Sequence, residues 1–447
     1  MINRREFLGA MAVAAWPARA YPPALPAPPD PAALHVDARV LRARIEALSA
    51  FGRPAGGTFA DGVSRTAYSD ADVAGRAYVM AQMRTAGLQP RVDPAGNIFA
   101  RRAGRSPQLP PILFGSHIDS VPNGGNFDGD LGSLSALGAI EALDAAGAHT
   151  RHALEMVVWA HEESYAFARG LAGSRIVAGD VTPSDMDEVW NGLRRGDAIR
   201  RIGGDPDRLA EARRARGSHH CYLELHIEQG GTLERAGIPV GVVEGIVAID
   251  RYESIVTGVA NHSGTTPLAD RHDALLAASH LTIAVRDAAT RLPGRQVATV
   301  GRIEVTPNSA NVVPGLARLS IELRDLDPNT LTSMMNDIRA RATEIATNTG
   351  TAIAFRELAR AAPAVATPTV QNAIDRAATS LNLATTRLPS GAGHDAQMMA
   401  LLGPMGMIFV PSVGGVSHSP KELTRWQDCA NGADVLLRTV LEMDSLT

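Results

Sequence analysis

At 447 residues the chain is long enough for two or three domains with substantial cores. Its net charge of −4 argues against the large basic surface that a nucleic-acid partner needs. Cys221 and Cys429 are too few for a disulfide framework, and no internal run of about 18 apolar residues offers stable membrane insertion.

At the N-terminus, Asn3-Arg-Arg-Glu-Phe-Leu-Gly9 precedes a short apolar run ending at Trp16, and Ala18-Arg-Ala20 places small residues where a signal is cleaved. The pattern predicts a twin-arginine export signal and a periplasmic location; an exposed N-terminal helix on a cytoplasmic protein is the competing reading. Residues 21–31 are rich in Pro and Ala and read as a linker, so residues 1–30 are set apart from the first part of the main domain over 31–246. In that segment Pro110 to Gly115 and Leu154 to Ala160 read as buried strands, and Leu131 to Ala146 as an Ala-rich helix. The charged stretch 188–216 reads as a surface helical insertion, with Arg194, Arg195, Arg213, Arg214 and Arg216 on a solvated face. Alternating strands and helices predict an α/β fold, a mixed sheet flanked by helices.

From about Val247 the pattern changes. Strands are expected over 251–259, 296–306, 316–325 and 351–357, with helices over 271–289 and 331–348. The order β-α-β-β-α-β predicts an inserted ferredoxin-like module over 247–356, with the second part of the main domain over 357–447.

Five dispersed residues have the chemistry of metal ligands. They are His117 in Gly115-Ser-His-Ile-Asp119, Asp128 in Gly124-Gly-Asn-Phe-Asp-Gly129, Glu163 after Glu162, His226 in Leu223-Glu-Leu-His-Ile-Glu-Gln-Gly230, and His418 in Ser417-His-Ser-Pro-Lys-Glu422. Three imidazoles and two carboxylates suit two borderline divalent cations that share one carboxylate. Asp119, two residues after His117, shares a face with it on an extended segment and is placed to hold the outer nitrogen of that imidazole. A strand-end His–Asp pair without metal is the alternative. Glu162 and Glu163 are adjacent carboxylates at a strand end and repel each other unless a cation is near. Extended backbone would point them in different directions, so that one can bind metal while the other faces a water; Glu163 is assigned to the metal and Glu162 to the general base. A solvated acidic turn is the competing reading.

These segments, with Leu171-Ala-Gly-Ser-Arg175, Asn261-His-Ser-Gly-Thr-Thr-Pro267, Ser390-Gly-Ala-Gly-His-Asp395 and Val410-Pro-Ser412, resemble the M20 metallopeptidase superfamily. Within it the resemblance is to the hydantoinase/carbamoylase branch, which holds N-carbamoyl-L-amino-acid hydrolases, allantoate amidohydrolases and beta-ureidopropionase-like amidases. It runs from about Leu41 to the C-terminus. It implies two divalent ions per subunit, zinc first, with manganese, cobalt or nickel as alternatives. Asp128 would bridge them, His117 and His226 would complete one site, and Glu163 and His418 the other. The inserted module would act as a lid and as the contact of a homodimer. Arg324 would take a substrate carboxylate, and a salt bridge to Asp325 or Asp327 is the alternative. Gln229 and Asn311 would serve the ureido group, Gly391 and Gly393 would line the pocket, and His262 would reach from a partner's lid to the oxyanion. The implied reaction is hydrolysis of the linear C–N bond of an N-carbamoyl amino acid or related small-molecule ureido acid. An allantoate or ureidoglycolate amidohydrolase, or an M20-type dipeptidase or aminoacylase, is the alternative. The chain departs from the family pattern at Ser164, where Gly is usual, and at Gly231, where Pro is usual.

Overall fold

The computed structural model describes residues 34–446, so the expected export signal and linker lie outside the described residues. Four parallel strands form the centre of a nine-stranded mixed sheet: Leu154–Trp159, Ile112–His117, Cys221–Ile227 and Met405–Val410, adjacent in that order. All are buried along their whole length, as expected for strands covered on both faces. Period-two alternation divides their side chains between two cores. Ile112, Phe114, Leu154, Met156, Leu223 and Leu225 pack into one. Leu113, Val157, Trp159 and Tyr222 pack into the other. Each fully buried Leu or Phe contributes roughly 1.5–3 kcal/mol.

The alternation also aims the polar residues. His117 and His226 fall on the Leu113/Tyr222 side, both near the carboxyl ends of parallel strands. That is where ligands bind in open α/β sheets.

The second sheet is inserted between two paired segments of the first. Val240–Ile246 leads into it and Ala364–Val365 returns from it, and these pair antiparallel, Ile246 opposite Ala364. Its four strands are antiparallel in the order Val297–Thr306, Leu316–Asp325, Ala248–Thr257, Ala352–Ala361. Helices Ala274–Thr290 and Pro328–Thr349 cover one face, meeting Tyr252, Val256, Leu319 and Leu323. By alternation Ile249, Arg251, Glu322 and Arg324 point to the uncovered face.

The stretch 188–216 differs from the expected helical insertion. It forms a small hairpin, Val189–Trp190 with Leu193–Arg194, then the short helix Arg195–Arg201 and further short turns. Two of its arginines are not solvated. Arg195 is buried, pairs with Glu188 at 2.5 Å and lies over the Phe167 ring. Arg214 pairs with Glu155 at 2.7 Å and lies over Phe99. Their aliphatic stems and flat guanidinium groups cover aromatic rings while the charge is matched, which a count of charges along the chain does not reveal. Cys221 and Cys429 are both free and buried.

Candidate metal centre and substrate pocket

Asp128 sits in the loop between strand Ile112–His117 and helix Asp130–Ala145. The loop is anchored from below. Asp130 pairs with Arg65 at 2.5 Å with both side chains buried, and Arg65 also donates to the carbonyls of Leu48 and Phe51, each at 3.0 Å. A buried ion pair is tolerated when its remaining hydrogen bonds are made in this way. Gly129 has φ 68°, and a Cβ there would come within 2.5 Å of the His117 ring. Glycine is therefore required where the loop turns beside the imidazole.

The side chains converge in two sets around Asp128. Its Oδ1 lies 3.4 Å from His117 Nε2 and 3.0 Å from His226 Nε2. Its Oδ2 lies 3.3 Å from His418 Nε2, which is also 3.3 Å from Glu163 Oε1. His117 and His226 each place Nδ1 2.9 Å from a backbone carbonyl, of Asp119 and Ile227 respectively. A carbonyl only accepts, so each Nδ1 carries the proton and donates it. In the neutral rings the Nε2 lone pairs then face a carboxylate, which is repulsive unless a proton or a metal cation lies between. His226 Nε2 is buried without a hydrogen-bond partner in the structure, an orphaned atom aimed at the cluster.

The electrostatics make the same demand for positive charge. Burial alone would lower the His117 pKa, but Glu162, Asp128 and Asp119 raise it well above the usual imidazole value. Burial would raise the Asp128 pKa, yet His226, His117 and His418 hold it well below the carboxylate range. Burial and the neighbouring Asp128 push Glu163 up to about 8. Glu162 is driven well above its ordinary value by burial and by Glu163, Asp395 and Asp119, partly opposed by His117. The donor set, its hard and borderline atoms and its unmet charge fit two divalent cations.

The surroundings of Asp119 and of the paired glutamates differ from those expected. The Asp119 carboxylate does not hold His117, whose Nδ1 is 3.8 Å away. It accepts instead from the backbone N–H groups of Glu162 and Glu163, each at 3.1 Å. The strand ends at His117, so same-face periodicity stops there. Similarly, the strand before the glutamates ends at Trp159 and His161 has φ 53°. The two glutamates therefore lie beyond the strand, after a left-handed residue and on backbone braced by Asp119. Glu162 Oε2 lies 3.9 Å from His117 Nε2.

A cavity of about 950 Å³ opens over the cluster, lined on one side by Glu162, Leu171 and His418 and on the other by Ile249, Arg251 and Arg324. Gln229 and Gly393 also line it. Gln229 has φ 58° and its Nε2 donates to Asp128 Oδ2 at 2.7 Å, so its amide touches the shared carboxylate. Arg324 pairs with Glu322 at 2.7 Å, not with Asp325 or Asp327, and its Nη1 donates to the Gly391 carbonyl. His262 and Asn311 are exposed on the small pair formed by Asn261–His262 and Val312–Val313 and its adjoining loop, apart from the cavity lining of their own chain. Two further residues, Glu224 and Tyr165, carry no assignment from their sequence settings. Glu224 is fully buried, accepting from Ser116, Tyr222 and the Ala396 backbone. Its place between Leu223 and Leu225 in a buried strand was the available signal. Tyr165 lines the cavity against Trp190 of the hairpin, a contact with no sequence signature.

Residues 113–442 match the model of peptidase family M20/M25/M40. The chain belongs to this family. Among M20 relatives, the N-carbamoyl-L-amino acid amidohydrolase of Geobacillus stearothermophilus is 38% identical over 383 residues, covering 86% of this chain and 93% of that protein. The ureidoglycolate hydrolase of Arabidopsis thaliana is 35% identical over 419 residues, covering 92% and 87%. The M20 fold here also matches the crystal structure of a hydantoinase/carbamoylase family amidase from Burkholderia multivorans. The TM-score is 0.85 at 34% identity, over 92% of this chain and 99% of that one. The chain therefore lies in the hydantoinase/carbamoylase branch of the family.

Proposed function

We propose that this protein is a two-metal amidohydrolase that cleaves the linear C–N bond of N-carbamoyl amino acids, releasing the amino acid, carbon dioxide and ammonia. The observation that carries this reading is the pair of ligand sets sharing Asp128, with the free carboxylate Glu162 beside them. His117, Asp128 and His226 would hold one cation, and Asp128, Glu163 and His418 the other. When bound, such a pair polarises a carbonyl and lowers the pKa of water.

The chain's own groups do the rest. Glu162, beside the ligand sets and in neither, accepts a proton from the attacking water and returns it to the departing amino nitrogen. Glu322 and Gly391 engage Arg324 through Nε, Nη1 and Nη2, leaving one N–H on each Nη for a substrate carboxylate. The inserted sheet, placed over the cavity by its single stem, serves as a lid.

Ammonia release from a panel of N-carbamoyl-α-amino acids, N-carbamoyl-β-alanine, allantoate and ureidoglycolate tests the reading with the zinc-loaded protein. Turnover of the carbamoyl amino acids is expected, and inactivity towards all of them would overturn it. In the same assay Arg324→Lys should raise KM about 10-fold or more, because a point charge cannot replace the fork. An amidated substrate lacking the carboxylate should be poor and insensitive to this change. An equal response of both substrates would remove Arg324 from carboxylate binding.

The lid also supports a homodimer. Leu276 and Ile283 are exposed on its first helix, and Val297 and Ile303 on its unpaired edge strand, a surface suited to a second copy. His262 Nδ1 accepts from the N–H groups of Gly264 and Thr265, so the neutral ring carries its proton on exposed Nε2 as an outward donor. In a dimer this donor would reach the partner's oxyanion. Mixing His262→Ala chains with Glu162→Gln chains should then restore activity, since one site of each mixed dimer holds both groups. Verified mixed dimers without activity would return His262 to its own chain.

A further inference from the structure

Glu422 is a buried carboxylate that the reaction above does not use, 4% exposed. Its backbone closes a turn, donating to the Ser419 carbonyl at 2.9 Å. Its Oε1 accepts from the N–H groups of Phe127 at 3.0 Å and Asp128 at 3.1 Å. Its Oε2 accepts from Ser417 Oγ at 2.8 Å, and the same hydroxyl lies 3.2 Å from Asp128 Oδ2. The side chain thus joins the loop of the shared aspartate to the loop of His418. The opposing loop is shaped to admit it: a Cβ on Gly125 would come within 2.1 Å of Glu422 Oε1.

The two ligand sets are braced unequally without it. His117 and His226 lie in buried strands, 1% exposed, with Nδ1 fixed by backbone carbonyls. His418 is 48% exposed, lies on a loop and has φ 54°, a costly conformation for a residue with a Cβ. A ligand on such a loop depends on whatever fixes the loop.

We infer that Glu422, acting with Ser417, is a positioning residue that holds the His418 loop against Asp128 and so secures the outer ligand set of Asp128, Glu163 and His418. The inference rests on the two-metal reading. Removing the clasp should loosen the outer cation while the inner one, held by His117, Asp128 and His226, stays.

The test is zinc content and zinc affinity of the full chain, by elemental analysis and calorimetric titration. Wild type should bind two zinc ions. Glu422→Ala should keep one tightly and bind the other about 10- to 100-fold more weakly, the usual effect of losing a group that orients a ligand. Glu422→Gln should stay near wild type, because its amide oxygen still accepts both backbone N–H groups and its NH2 can donate to Ser417 Oγ. Adding His418→Ala to Glu422→Ala should cost no further tight zinc, whereas adding His226→Ala should remove the remaining ion. Unchanged affinities in Glu422→Ala, parallel weakening of both sites, or a Gln variant as weak as the Ala variant would each overturn the inference. If Glu422→Ala shows no cooperative thermal unfolding, Ser417→Ala decides. It spares the backbone bonds and should still weaken the second zinc selectively, and an unchanged second site overturns the clasp. A wild-type chain that binds fewer than two ions overturns the metal-centre reading itself, an outcome visible before any variant is made.

Discussion

Asp128→Ala should lose both cations and with them essentially all turnover. Each carboxylate oxygen faces a different imidazole set, Oδ1 the His117/His226 pair and Oδ2 His418. No other side chain among the described residues belongs to both sets of this arrangement. Removing the carboxylate leaves two imidazoles on one side and His418 with Glu163 on the other, both short of a charged donor. The neighbouring glutamates would also lose the pull of a bound cation, and burial already favours their protonated forms. A protonated carboxyl is a poor ligand, so the losses reinforce each other. Elemental analysis after dialysis and the ammonia assay measure the outcome. A variant retaining two ions and wild-type turnover would end the assignment of Asp128 as the shared ligand.

Glu162→Gln should separate chemistry from binding. The amide keeps the shape of the side chain, and Glu162 belongs to neither ligand set, so both ions should remain. Turnover should fall by at least about 10²-fold, the lower range for a positioned acid/base. KM should change little, since the proposed carboxylate-binding wall around Arg324 is untouched. Near-normal turnover would mean that another group takes the proton. Loss of one ion with the same substitution would show instead that Glu162 and Glu163 have exchanged roles.

What the sequence made legible follows physical lines. Buried parallel strands read as apolar runs, so Ile112–His117 and Leu154–Trp159 were visible, and with them the ends from which His117 and the paired glutamates emerge. Where strands stop was not visible. That single uncertainty misdirected the expectation for Asp119, whose carboxylate braces the glutamate turn rather than His117. Arg195 and Arg214 were hidden for another reason, since their partners Glu188 and Glu155 and the rings they cover are set by tertiary packing. Glu422 lay in a recognisable segment but carried no assignment. Its partners are backbone N–H groups some 294 residues away, and backbone donors have no residue signature.

The paired segments Val240–Ile246 and Ala364–Val365 make the second sheet an insertion whose entry and exit lie side by side. The five candidate ligands and Glu162 all lie outside the segment 248–361, whereas Arg324, His262 and Asn311 lie inside it. Entry and exit of the insert are adjacent in space, so drift in length or sequence there does not propagate into the central strands. The candidate ligands thus sit in a frame that the insert only caps, while Arg324 leans back across the gap onto the Gly391 carbonyl.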